Sequence, residues 1–247
     1  MTDARTEDGS TPAPGEATTD RVRGIFGRIA GSYDTFNLLS SLGIDRLWRR
    51  SAVAAAAVKP GARVLDLCAG TGDLAFAIAA TGAPAEVVAS DFSPEMLAVA
   101  ERKAEHIDGP ARLSFLVADA QDLPFADESF DVVTVAFGVR NLPDRAANFT
   151  EVRRVLRPGG RYVILEFSRP PFAPWRALYH VYLRVVIPLL GSMLSGGDRA
   201  SFQYLNDSIR RFPAQAALAA ELREAGFSAI DWKNRTGGIV AVHTAVR

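Results

Sequence analysis

From Lys59-Pro60-Gly61 onward the chain alternates between short apolar runs and longer segments whose apolar residues recur every three or four positions. Arg63–Cys68, Glu86–Ser90, Leu113–Val117, Phe130–Ala136 and Arg161–Phe167 read as strands. Gly72–Thr81, Pro94–His106 and Ala146–Leu156 read as the helices between them, the second opened by a proline at an early helical position. Arg157-Pro158-Gly159-Gly160 is a turn by composition. Strands alternating with helices imply a parallel, doubly wound sheet. Near the end, Pro213–Ala225 reads as a helix that stops at Gly226. Phe227–Lys233 and Ile239–Val246, joined across Asn234–Gly238, read as a closing antiparallel hairpin. The expected fold is therefore α/β and Rossmann-like, with a mostly parallel seven-stranded sheet ending in an antiparallel hairpin.

Three segments depart from this rhythm. Residues 1–20 are Thr, Pro, Gly, Ala and acid without apolar periodicity and read as a disordered tail, with no basic and apolar regions of a signal peptide. Within 21–58, Val22, Ile25, Phe26 and Ile29 are spaced for one helical face, Gly31-Ser32-Tyr33-Asp34 reads as a break, and Thr35 to Trp48 mixes apolar with polar residues. This segment reads either as a helical lid across the open end of the sheet or as a helical pair covering one edge of the core. Residues 170–212 form an insertion whose stretch Ala177–Leu194 is strongly apolar. Arg184, His180 and Pro188 inside it argue against a membrane span. A helical cap over an apolar pocket fits, and an ordinary core helix is the alternative. Residues 21–247 are expected to form a single domain.

Composition narrows the function classes. Among 247 residues, Lys plus Arg and Asp plus Glu both number 28, so no charge excess points to a nucleic-acid partner. A single cysteine, Cys68, excludes an intramolecular disulfide and suits a reducing cytosol. His106, His180 and His243 show no metal-ligand spacing, and no metal site is expected.

The chemistry concentrates where the first strand meets its helix, Asp66-Leu67-Cys68-Ala69-Gly70-Thr71-Gly72-Asp73. Glycines there let backbone approach a ligand at the end of the sheet. Gly70, Gly72 and Ala75 fit a dinucleotide fingerprint; Asp66, Gly70 and Gly72 equally fit the acidic glycine turn of S-adenosylmethionine enzymes, with Cys68 in place of a first glycine. A pyrophosphate wants amide dipoles free of carboxylates, whereas Asp66 and Asp73 flank this turn. The sulfonium and ammonium of S-adenosylmethionine suit it better. Asp91 and Asp119 stand at the ends of the second and third strands, where a carboxylate can accept from a ribose diol or an exocyclic amine. Asp91 before Ser93-Pro94 also reads as a plain helix cap.

Several stretches taken together resemble one family. They are Tyr33-Asp34-Thr35-Phe36-Asn37, Ser41 to Trp48, Leu65 to Asp73, Asp122-Leu123-Pro124-Phe125, Phe137-Gly138-Val139-Arg140-Asn141, Arg157 to Pro170 and Tyr204 to Ile209. The chain is similar to class I S-adenosylmethionine-dependent methyltransferases, and more narrowly to the ubiquinone/menaquinone C-methyltransferases. The resemblance covers nearly everything after the tail. It implies S-adenosyl-L-methionine as cofactor, with contacts at Asp66, Gly70, Thr71, Asp91 and the Asp119-Ala120 pair. A further contact falls on Ala136, where the family often has Ser, and Asp45 stands where Asn or His is more usual.

The implied reaction is methylation of a ring carbon on a prenylated hydroquinone. The Arg- and Ala-rich composition favours demethylmenaquinol; a benzoquinol precursor, a nicotinamide-dependent oxidoreductase and a non-catalytic cofactor-binding subunit are the alternatives. The ring carbon becomes nucleophilic when a neighbouring phenol, ordinarily titrating near ~10, loses its proton. Arg140 and Asn141 follow the fourth strand, where their donors can face that oxygen, though a local ion pair between Arg140 and Asp144 is an equal reading. Asp34, Tyr33 and His180 are the candidate proton acceptors. The expected partners are a prenylated quinol and, transiently, a membrane surface, with no nucleic acid and a homodimer left open. The expected location is cytoplasmic, extending to the inner face of the plasma membrane.

Overall fold

The computed structural model describes residues 33–107, 111–194 and 199–247, together with 24, 27, 30 and 31. The expected tail and the helical face of Val22, Ile25, Phe26 and Ile29 lie outside the described residues. The first elements whose bounds lie within the described residues are two helices, α1 (Tyr33–Ser41) and α2 (Asp45–Ala56). Tyr33 and Asp34, expected to break a helix, instead begin one; an acid suits a first turn, where free amides concentrate positive charge.

The sheet then builds as β1 (Arg63–Leu67), α3 (Asp73–Ala79), β2 (Glu86–Asp91), α4 (Pro94–Ala104), β3 (Arg112–Val117), β4 (Phe130–Ala136), α5 (Arg145–Val155) and β5 (Leu156–Phe167). The cap follows as α6 (Ala173–Leu194) and α7 (Arg199–Arg211). It leads into α8 (Gln215–Glu224), β6 (Ser228–Arg235) and β7 (Val240–Val246). Strand order is β3-β2-β1-β4-β5-β7-β6, with β7 antiparallel to both β5 and β6 and the remaining pairs parallel. The seven-stranded Rossmann-like sheet is thus as expected.

One strand is longer than its apolar run. Arg157-Pro158-Gly159-Gly160 does not separate α5 from β5 but loops out within β5: Phe130 pairs with Leu156 and Val132 with Arg161. The bulge is held by the chain terminus, since the Gly159 N–H donates to Arg247 O and the Arg247 N–H to Gly160 O.

The central strands are buried on both faces, as a parallel sheet between helical layers requires. Leu65, Leu67, Val133, Val135 and Ile164 pack toward α5 and α8, whereas Val64, Val87, Val132, Val163 and Leu165 pack toward α2 and α3. A third cluster lies above the sheet's C-terminal edge. There Phe36 of α1 meets Tyr179, Leu183 and Ile187 of α6 and Ile209 of α7. Helices α1, α6 and α7 therefore pack against one another over the edge where a doubly wound sheet binds ligands. The order of strands changes direction between β1 and β4, and the site lies there.

Candidate active site

The two strands at that switch point end in unusual backbone. Cys68 after β1 and Phe137 after β4 both hold positive φ, +50° and +58°, a left-handed geometry that costs a side-chain-bearing residue roughly 1–3 kcal/mol. The two turns press together. A Cβ at Gly138 would fall 2.3 Å from the Cβ of Cys68, so no larger residue fits. Gly72, at φ +87°, ends the glycine turn and opens α3, and a Cβ there would strike the Phe76 ring at 2.5 Å.

Asp91, at the end of β2, anchors this turn. One carboxylate oxygen accepts from the Gly70 N–H at 2.8 Å and the other from the Ser93 N–H at 2.9 Å. Ser93 caps α4, its hydroxyl accepting from the Met96 N–H, so Asp91 is not the cap. Burial pushes the Asp91 carboxyl up to about 6. Its oxygens retain acceptor capacity, and they face a cleft lined also by Gly70, Met96, Asp119, Ala120, Ala136 and Asn141.

Two expected cofactor residues lie outside that lining. Asp66 is buried beneath the turn, where Thr134 on β4 donates its hydroxyl to one oxygen at 2.6 Å. The other oxygen has no hydrogen-bond partner among the described residues. Burial pushes this carboxyl up to about 7. Thr71 donates its hydroxyl at 2.6 Å to Asp34 of α1. Asp34 also accepts from Lys103, which reaches Asp73 at 2.6 Å. Asp73 is thus neutralised by α4, and Asp91 is left as the buried anion facing the cleft. Exposed Asp119 accepts from the Gln121 N–H at 2.8 Å.

Arg140 and Asn141 occupy a 3₁₀ turn, Val139–Asn141, after β4. Asn141 lines the cleft and accepts at 3.1 Å from the hydroxyl of Tyr204 on α7. Arg140 faces the other way, into an apolar cavity of about 480 Å³ roofed by α1 and α6. The expected pair with Asp144 is not formed, because Asp144 caps α5 by accepting from the Ala147 N–H. Arg140 pairs instead with Glu166 on β5, Nη1 to Oε1 at 3.1 Å. Their side chains are 4% and 1% exposed. Burial raises the Glu166 carboxyl, and the adjacent guanidinium opposes that shift.

Tyr33 and Phe137 line both the cleft and the apolar cavity and form the partition between them. Of the three candidate proton acceptors, Tyr33 alone faces the chambers. Asp34 is held in its ion pair, and His180, its basicity lowered by burial and neighbouring arginines, lines neither. Tyr179, Tyr182, Leu183 and Val186 of α6 line the apolar cavity, whereas Leu189 is exposed. Sequence reading missed Glu166, Lys103 and Tyr204 as site residues. Glu166 left a trace as a lone acid inside the apolar run of β5, and Tyr204 as the first residue of a stretch that carries the family resemblance.

The cleft suits a cationic nucleoside: a buried carboxylate with free acceptor positions, small residues at Gly70, Ala120 and Ala136, and no basic side chain in its lining. No group of His, Cys, Asp and Glu among the described residues could hold a metal ion.

A demethylmenaquinone methyltransferase of Beutenbergia cavernae is 47% identical over 224 residues, 91% of this chain and 90% of the relative. One of Thermus thermophilus is 47% identical over 223 residues, 90% of this chain and 100% of the relative. The fold is shared with a SAM-dependent methyltransferase from Aquifex aeolicus at a TM-score of 0.60 and 16% identity, covering 86% of this chain and 97% of that one. The family model matches residues 15–247, and the chain belongs to the ubiE/COQ5 methyltransferase family.

Proposed function

We propose that this chain methylates a ring carbon of a prenylated hydroquinone, demethylmenaquinol in particular, as one domain with α1–α2 as lid and α6–α7 as cap. One observation carries the reading: a polar cleft at the glycine turn and an apolar cavity share a single partition, Tyr33 and Phe137. S-adenosyl-L-methionine, when bound, supplies the methyl group as a reactive sulfonium substituent. Asp91, with Gly70, Asp119, Ala120 and Ala136 around it, would hold that donor. The protein's own part is to align donor and acceptor and keep water away.

In the apolar cavity the ring meets the guanidinium of Arg140, fixed by Glu166 and stacked 5.4 Å over the Phe167 ring. A guanidinium there stabilises the phenolate that makes the neighbouring carbon nucleophilic. Tyr33 stays protonated, since burial raises its phenol even against the charge of Arg140; it serves as a donor and a wall. No described acid faces the cavity unpaired: Asp45 is bound to Arg49 at 2.5 Å and to the Ser41 hydroxyl. The phenolic proton therefore leaves through water.

A further part of the reading is contact with a membrane surface, at the inner face of the plasma membrane. Leu178, Val181, Val185 and Leu189 run exposed along one side of α6, and Leu42, in the turn after α1, is 83% exposed. Leu42, Leu178 and Val181 also line the cavity, so exposed apolar surface continues into it. No helix among the described residues is long and apolar enough to cross a membrane.

The test is incubation with methyl-labelled S-adenosylmethionine and, separately, a prenylated naphthoquinol and a prenylated benzoquinol. Label on the naphthoquinol is expected. Label on the benzoquinol alone would move the reading to the ubiquinone precursor, and label on neither, with NAD bound instead, would overturn it. Co-sedimentation with phospholipid vesicles, lost on Leu178→Ser with Leu189→Ser, tests the surface contact.

A further inference from the structure

Polar atoms in the apolar cavity are nearly all satisfied within the protein. The Tyr182 hydroxyl donates to Ser40 O, the Trp48 indole N–H to Thr236, and the Ser41 hydroxyl to Asp45. Three are not: the hydroxyl of Tyr179 and Nε of Arg140 and of Arg49 are buried with no hydrogen-bond partner among the described residues, and the Arg49 guanidinium is committed to Asp45 and Asp73. Buried donors in native proteins are almost always paired, so each such atom asks for an explanation. Tyr179 and Arg140 line the same cavity, and the charge of Arg140 acts on the Tyr179 phenol.

The position of Tyr179 gives it no other evident task for that oxygen. Tyr179, Leu183 and Ile187 follow one another at four-residue spacing on the buried side of α6, where the ring packs with Phe36 and Ile209. Packing explains the ring and not the hydroxyl; phenylalanine would fill the same space without stranding a donor. Burial also drives the phenol well above its ordinary range, so it remains protonated and acts as a donor. Two donors without an acceptor between them match an oxygen anion.

We propose that Tyr179 is a substrate-contacting residue whose hydroxyl donates to the quinol oxygen faced by Arg140, so that two donors hold the phenolate. This rests on the hydroquinone reading of the cavity. Tyr179 neither takes nor gives up a proton; it lowers the pKa of the bound phenol.

The experiment is Tyr179→Phe, which keeps the ring and removes one oxygen. Affinity for S-adenosylmethionine should be unchanged, and kcat on the prenylated quinol should fall about tenfold or more. The rising limb of its pH profile should move to higher pH, because losing a donor to the anion raises the substrate's pKa. A fall in kcat with that limb unmoved would assign Tyr179 to packing and overturn the proposal. A second readout needs no methyl transfer: the absorbance titration of a bound prenylated 1-naphthol. Its pKa should be lower on the wild-type protein than on Tyr179→Phe, and equal values overturn the role of Tyr179. A wild-type protein that lowers this pKa yet methylates neither quinol upholds Tyr179 and removes the quinol reading instead.

Discussion

Arg140 and Glu166 form an ion pair 3.1 Å long whose two side chains are both closed to water, at the wall of a cavity that is otherwise almost entirely apolar. A pair buried so completely is poor evidence of stability gained, but breaking it from one side strands a charge. Glu166→Ala is therefore expected to lower the unfolding free energy by about 3–5 kcal/mol, and Glu166→Gln by less, since an amide oxygen still accepts. Urea denaturation measures both. A loss below about 1 kcal/mol for the alanine variant would mean that the guanidinium finds another partner.

Arg140→Lys keeps the charge and discards the planar fork that reaches Glu166 and the cavity together. Turnover on the quinol should drop while donor affinity stays close to wild type. Equal losses in both would identify Arg140 as a scaffold for the glycine-turn side of the site rather than a partner of the ring.

Asp91→Ala should weaken S-adenosylmethionine binding by about 1.5–3 kcal/mol, the range for hydrogen bonds to a charged group. Calorimetry on a folded variant decides it, and unchanged affinity removes Asp91 from the donor site. With the wild-type carboxyl held up at about 6, binding of a cation should weaken as pH falls through that value.

Burial raises Asp66 to about 7 and Asp91 to about 6, from an ordinary 3.8. Above 3.8 the unfolded chain has released these protons while the folded one keeps them. The contribution of both groups to stability therefore declines as pH rises from about 4 to about 7. Denaturation at pH 5 and pH 8 should show this loss, and Asp66→Asn should flatten it. An unchanged slope would mean that the Asp66 carboxyl is ionised throughout.

Val186 lines the apolar cavity from α6. Val186→Asp is expected to raise the apparent KM for the prenylated quinol far more than for a tail-less analogue, because tail burial contributes roughly 25 cal/mol per Å². Equal effects on both substrates in a folded variant would make this face of α6 ordinary packing.

The strands and the glycine turn were legible because their cues are local: apolar runs bounded by Gly and Pro, and Ser93-Pro94 at the start of α4. What escaped reading depends on residues distant in the chain. Asp144 lies four positions from Arg140 and made the obvious partner, whereas Glu166 lies on the next strand and reaches it only across the sheet. Thr71 reads as a ligand contact, and nothing local in the sequence shows that its hydroxyl donates to Asp34, on a helix before β1. The four residues around Pro158 have the composition of a turn, and only the pairing of β4 and β5 on either side shows them as a bulge. The unpartnered state of the Tyr179 hydroxyl is likewise a property of the packed cavity, with no trace in α6 alone.

Tyr33 contributes to both chambers from the first turn of α1, and the same turn is fastened to the glycine turn through Asp34, Thr71 and Lys103. Swinging α1 aside to exchange the spent nucleoside would also unroof the greasy chamber. If donor exchange requires that movement, reloading the donor and sheltering the quinol are coupled, and each catalytic cycle would contain one whole opening and one whole closing. Turnover would then track the viscosity of the medium wherever that movement is slower than methyl transfer.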